Sequence, residues 1–206
     1  MRLAALVCAI AVFATFAAST KTDATDGVPR NPEVRRSCVA DPDKHIRVFM
    51  IHRKGSSRPA YIRTVRLKTY VATVMASGAW MGHKPYQSLK VGAIAIKQYA
   101  AWHMCHHQRG YVWRGRKYDI RQGDQFFMPN RAHRINQRIR RAINATWGVF
   151  LKKNGRYFRT GWRGNSGRDG WHLYEDTVTR LARRGWGYKR IIHQQLDPVR
   201  IVIWPT

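Results

Sequence analysis

The chain has 206 residues, 38 of them Lys or Arg and only 11 Asp or Glu, for a net charge of +27 with histidine neutral. That length suits one domain with a sizeable core, and a field this positive implies polyanionic surroundings: nucleic acid, an anionic lipid surface or a wall polymer. Past the first 19 residues no segment is long and apolar enough to span a bilayer, which excludes a helical membrane domain there.

In chain order, Arg2, the apolar run LAALVCAIAVFATFAA and the small residues Ala17 and Ser19 read as a secretory signal over residues 1–19. The remainder is therefore expected to be secreted or held in the cell envelope, which tilts the choice of polyanion away from intracellular nucleic acid. Cys8 would leave with the signal. Cys38 and Cys105 remain, and in an oxidising compartment they most simply form one disulfide. Such a bridge would close a long loop and contribute on the order of 3–5 kcal/mol.

Residues 20–44 are polar, contain Pro29, Pro32 and Pro42, and read as an irregular arm before a domain over 45–206. HIRVFMIHR (45–53) and AYIRTVRLK (60–68) alternate apolar and basic residues as half-buried strands do. TYVATVMASGAW (69–80) carries no charge and belongs to the core. The longest helical pattern covers 88–107, apolar on most sides, and predicts a central helix. At its end HMCHH places His103, His106 and His107 on one face, but lacks the spacing and number of ligands a zinc site needs, so no metal is expected. Residues 130–145 read as a helix with Arg131, Arg134, Arg138 and Arg141 in a basic, anion-binding stripe. VFLKKNGRYFRTGW (149–162) reads as a hairpin, since Asn154-Gly155 suits the positive φ of a type I′ turn. Residues 174–184 form a last helix with acids first, arginines last and Gly185 as its cap. IVIWP closes the chain as a strand. Strands and helices in mixed order predict an α+β fold.

Carboxylates are scarce. Beyond the signal the only glutamates are Glu33 in the arm and Glu175 at a helix start, so no pair for acid–base work is signalled. There is no GxSxG, no P-loop and no cofactor motif. Tryptophans and tyrosines interleaved with arginines suit stacking on sugar rings or bases.

The order of segments resembles the SpoIID/LytB family of stage II sporulation protein D and amidase-enhancer domains. YVATVM (70–75) and SLKVGAIAIKQYAAW (88–102) are similar to its YVxGVV-like start and ALKAxAVAxRTYA helix. YDIRQGDQFF (118–127), INATWGVFLKKNGRYF (143–158) and LARRGWGYKRIIHQQLDP (181–198) resemble its later segments in the same order. The resemblance implies a single domain with a long central helix packed on short antiparallel strands, and a substrate groove. It also implies peptidoglycan as the partner: catalytic members are lytic transglycosylases, and others bind the wall and stimulate amidases. The family's catalytic glutamate position falls at Gly78 or Ala79, and neither is a carboxylate. Where members read GHGVGMSQxGA this chain has RDGWHLYEDTV (168–178), which leaves Glu175 and His172 as substitutes for proton transfer. Asp119, Gln125, Trp171 and Tyr174 are the expected groove residues.

The resulting expectation is a secreted, basic peptidoglycan or anionic wall-polymer binder, with an enhancer role toward a wall amidase. The alternatives are an active transglycosylase with its acid relocated to Glu175, and a secreted nucleic-acid or anionic-surface binder.

Overall fold

Alternation of apolar and basic side chains builds the first sheet. Strands β1 (His45–Met50) and β2 (Tyr61–Arg66) pair antiparallel, with Ile46, Val48 and Met50 of β1 turned into the core. The computed structural model describes residues 44–51, 59–78, 80–106 and 111–204. The signal over 1–19, the arm over 20–43, Cys38, and with it the expected bridge to Cys105, lie outside the described residues; Cys105 itself is buried.

The uncharged stretch after β2 is a helix, α1 (Leu67–Ser77), with eight of its residues buried. The long helix α2 (Tyr86–His106) follows. It is buried on nearly every side through Leu89, Val91, Ile94, Ile96 and a run of alanines, as a helix apolar all round must be. Two of its buried polar residues, Lys97 and Gln98, sew it to the rest of the domain. Lys97 Nζ donates to the carbonyls of Thr146, Trp147 and Val149. Gln98 Nε2 donates to Leu151 O and Phe158 O, and Gln98 Oε1 accepts from Leu151 N–H.

A small hairpin, β3 (Tyr111–Trp113) and β4 (Arg116–Tyr118), turns through Arg114 and Gly115, both at positive φ. Strand β5 (Ile120–Arg121) then joins β1 in parallel. The helix expected over 130–145 is two pieces. A 3-10 segment (Pro129–Arg134) ends at Ile135, and α3 (Gln137–Thr146) starts afresh, with Asn136 Oδ1 accepting the Ile139 N–H as its N-cap. Arg131 and Arg134 therefore lie on the 3-10 segment and Arg138 and Arg141 on α3, so the four arginines do not make one helical stripe.

Strands β6 (Val149–Lys153) and β7 (Arg156–Tyr157) form the expected hairpin around Asn154 and Gly155, whose φ values are 50° and 75°. The chain then forms β8 (Gly161–Arg163), β9 (His172–Tyr174), α4 (Glu175–Arg183), α5 (Tyr188–Leu196) and β10 (Arg200–Ile203). Strand β10 pairs antiparallel with β6, and β8 pairs in parallel with β9. Gly185 takes φ +82° after α4. The architecture is α+β: helices around α2, flanked by small sheets that are antiparallel except at β1–β5 and β8–β9.

Candidate functional site

The β8–β9 pairing makes a cleft. Its register sets Gly161 opposite His172 and Arg163 opposite Tyr174. The imidazole lies over Gly161, where a Cβ would come within 2.8 Å of His172 Cδ2, so glycine is what leaves room for the ring. The cleft has a volume of about 460 Å³. Trp162, Trp171 and Phe126 supply its apolar walls, and Tyr99, Asp124, Gln125, Arg159, Arg163 and His172 its polar groups.

Two wall aromatics are held out toward solvent. Phe126 is 55% exposed and sits at φ +54°, a left-handed conformation costing a bulky residue on the order of 1–3 kcal/mol. Trp171 is 47% exposed. Beneath it Lys153 Nζ lies 4.1 Å from the ring centroid and donates to Gly170 O at 2.6 Å, which fixes the turn that carries the indole.

The same turn organises a dyad. Asp169 Oδ1 accepts the backbone N–H groups of Trp171 and His172, each at 2.8 Å. Asp169 Oδ2 accepts His172 Nδ1 at 2.6 Å and the Tyr174 hydroxyl at 3.1 Å. Partial burial works to raise the Asp169 pKa, but the two backbone donors and the imidazole outweigh it and hold the carboxyl well below the usual carboxylate range. An ionised carboxylate only accepts hydrogen bonds, so Nδ1 of His172 donates in this contact, and Nε2 is the nitrogen without a proton whenever the imidazole is neutral.

The lowered pKa has a sign. On acidification the unfolded chain binds the Asp169 proton first, so this contribution to stability is complete above about pH 4 and is lost as pH falls below it. The thermal midpoint of the native protein should drop between about pH 4 and pH 2 more steeply than that of Asp169→Asn. Equal slopes would show that the carboxylate is not held in this way.

Electrostatically the cleft is cationic. Among the described residues neither Arg159 nor Arg163 forms an ion pair. Arg159 lies 5.8 Å from the Tyr99 ring centroid and Arg163 lies 5.9 Å from that of Tyr174. Gln125 is buried, its Oε1 accepts the Tyr70 hydroxyl at 3.1 Å, and its Nε2 has no hydrogen-bond partner among the described residues.

Of the residues singled out in the sequence, Gln125, Trp171 and His172 meet in this cleft, and Tyr174 stands behind it holding Asp169. Asp119 does not line it. Its carboxylate is buried and takes the Arg47 backbone N–H at 2.7 Å and the guanidinium at 2.6 and 3.1 Å, clamping β1 to the segment before β5. Glu175 also lies elsewhere: it is buried and paired with Lys84 at 2.9 Å, and burial raises its pKa against the pull of that lysine. Gly78 ends α1 with open space where a side chain would project, and it is absent from the cleft lining. Ala79 lies outside the described residues. The four arginines of 131–141 line none of this cleft.

No protein-family model matches this chain, and no curated protein does either. Sequence reasoning missed Tyr99, Phe126, Arg159 and Arg163 as site residues, and did not join Asp169 to His172. The one local signal was the D-G-W-H spacing, in which an aspartate three residues before a histidine can cap the turn between them.

Proposed function

We propose that this is a secreted, SpoIID/LytB-like protein that binds cell-wall polymer in the β8–β9 cleft, without the glutamate its apparent relatives use to cleave glycan. The observation that carries the reading is the pairing of two solvent-facing aromatics, Phe126 and Trp171, with two arginines, Arg159 and Arg163, that form no ion pair among the described residues. Sugar rings stack on such faces, while guanidinium groups take the carboxylates or phosphates of wall polymers. The five segments in family order support the scaffold assignment, and binding beside an amidase would give the enhancer role. Glu175 does not favour a relocated glycan-cleaving acid, because Lys84 occupies it away from the cleft.

Co-sedimentation with insoluble peptidoglycan tests the reading. Binding should persist at moderately high salt, and Trp171→Ala should weaken it roughly tenfold, as loss of one stacking platform does. Binding to wall and duplex DNA alike, with both abolished by salt, would instead mean charge alone.

A further inference from the structure

The cleft holds more than a binder requires. A histidine oriented by the exposed Asp169 carboxylate and two arginines that form no ion pair among the described residues line one cavity. We propose that this cavity is a transesterification site for phosphodiesters, with His172 as its proton-transfer residue and a polyol-phosphate wall polymer as its substrate. The proposal rests on the wall-binding reading and gives it a substrate class.

Elimination among the lining residues narrows the chemistry. Among the described residues no serine, threonine or cysteine lines the cavity, and its hydroxyl group is the Tyr99 phenol, whose pKa burial raises and which is therefore held protonated, a poor nucleophile. Asp124 is the only carboxylate among the described lining residues, and it is engaged by the Arg121 N–H at 3.0 Å, so these residues hold no carboxylate pair of the kind most glycosidases use. What remains is a base, His172 Nε2, in one lining with two groups that neutralise an oxyanion, Arg159 and Arg163. Asp169 fixes the tautomer that frees Nε2, and Tyr174 in turn fixes Asp169. The nucleophile must then belong to the substrate. A polyol phosphate carries one, a hydroxyl on the carbon next to the esterified carbon.

The step balances without a co-reactant. His172 Nε2 takes the proton of that hydroxyl, and the oxygen forms a new bond to phosphorus. The phosphorus–oxygen bond to the next polyol breaks, and the departing oxygen takes a proton from solvent. The imidazolium returns its proton to solvent. The products are a cyclic phosphodiester and a free hydroxyl, with no redox change. The arginines stabilise charge gathering on the two non-bridging oxygens.

The test uses the purified full chain with three probes: 2-hydroxypropyl 4-nitrophenyl phosphate, polyglycerol phosphate and a single-stranded RNA. Release of nitrophenolate from the first and a cyclic phosphodiester ³¹P signal from the second are expected. His172→Ala should cut both rates by roughly 10²–10⁴-fold, and added imidazole should restore part of the loss. His172→Asn, which keeps a donor toward Asp169 and so preserves the turn, should lose as much rate. Wild-type protein that sediments with wall but turns over neither phosphodiester overturns this inference and leaves the binding reading intact. Protein that does not sediment with wall overturns the reading beneath it. Cleavage of RNA without cleavage of polyglycerol phosphate overturns the wall-polymer assignment, and undiminished rates in both His172 variants overturn the role of His172.

Discussion

Lys97→Met is expected to destabilise the protein by about 3 kcal/mol, lowering the thermal midpoint by roughly 6–12 °C in a chain of this size. The ammonium is buried inside the longest helix and spends all three of its N–H groups on the carbonyls of Thr146, Trp147 and Val149. The first two close the C-terminus of α3, where backbone carbonyls lack helical partners and the helix dipole is negative. The ammonium also lies 4.0 Å from the Phe150 ring centroid. Burial pulls its pKa well below the ordinary lysine value, so a methionine of similar length recovers some desolvation energy. It cannot answer the three carbonyls, which then stay buried without a donor. Urea unfolding followed by far-ultraviolet dichroism measures the difference. A change within about 0.5 kcal/mol would mean that these carbonyls find water instead.

Gly92→Ala should cost about 2–3 kcal/mol, against the helix preference, which favours alanine over glycine by roughly 1 kcal/mol. The reason is contact. A Cβ on Gly92 would stand 2.4 Å from Cδ2 and 2.5 Å from Cγ of Trp80, whose indole is completely buried against α2. An indole core held on all sides cannot yield as the tip of a lysine can, so the helix and the segment around Trp80 must separate. Gly123→Ala is the control. Nothing lies within 4 Å of its Cβ position, and its midpoint should stay within about 1 °C of the native value.

Both effects sit in segments that read as plain core in the sequence. Periodicity and turn chemistry were enough for β1, β2, α2, α4 and the β6–β7 hairpin, because alternation, an apolar helical face and an Asn-Gly turn are local properties. They were not enough for the break at Ile135 and Asn136, where apolar and arginine spacing runs straight through. There the competing signal was Asn136, whose side chain stabilises a helix start more than a helix interior. Helix α1 carries no clear amphipathic face, and α5 does but is only nine residues long. α1 is buried on several sides and α5 is short, so each takes its shape largely from its neighbours.

The candidate site divides in the same way. Aromatic and arginine abundance, the scarcity of carboxylates and the lack of a glutamate at Gly78 or Ala79 are properties of the chain, and they follow from composition and the order of segments alone. So does the expectation of a polyanionic partner, since net charge needs no fold. Which residues meet does not. Asp119 carries the same side chain as Asp169, yet one clamps β1 through Arg47 and the other orients His172. Arg159 and Arg163 are two of many arginines until folding brings both into one cleft lining with His172 and Gln125. Charge and residue type are summed along a sequence, whereas a cleft is made by contacts between segments that only tertiary packing brings together, and that packing decided which of these residues share one.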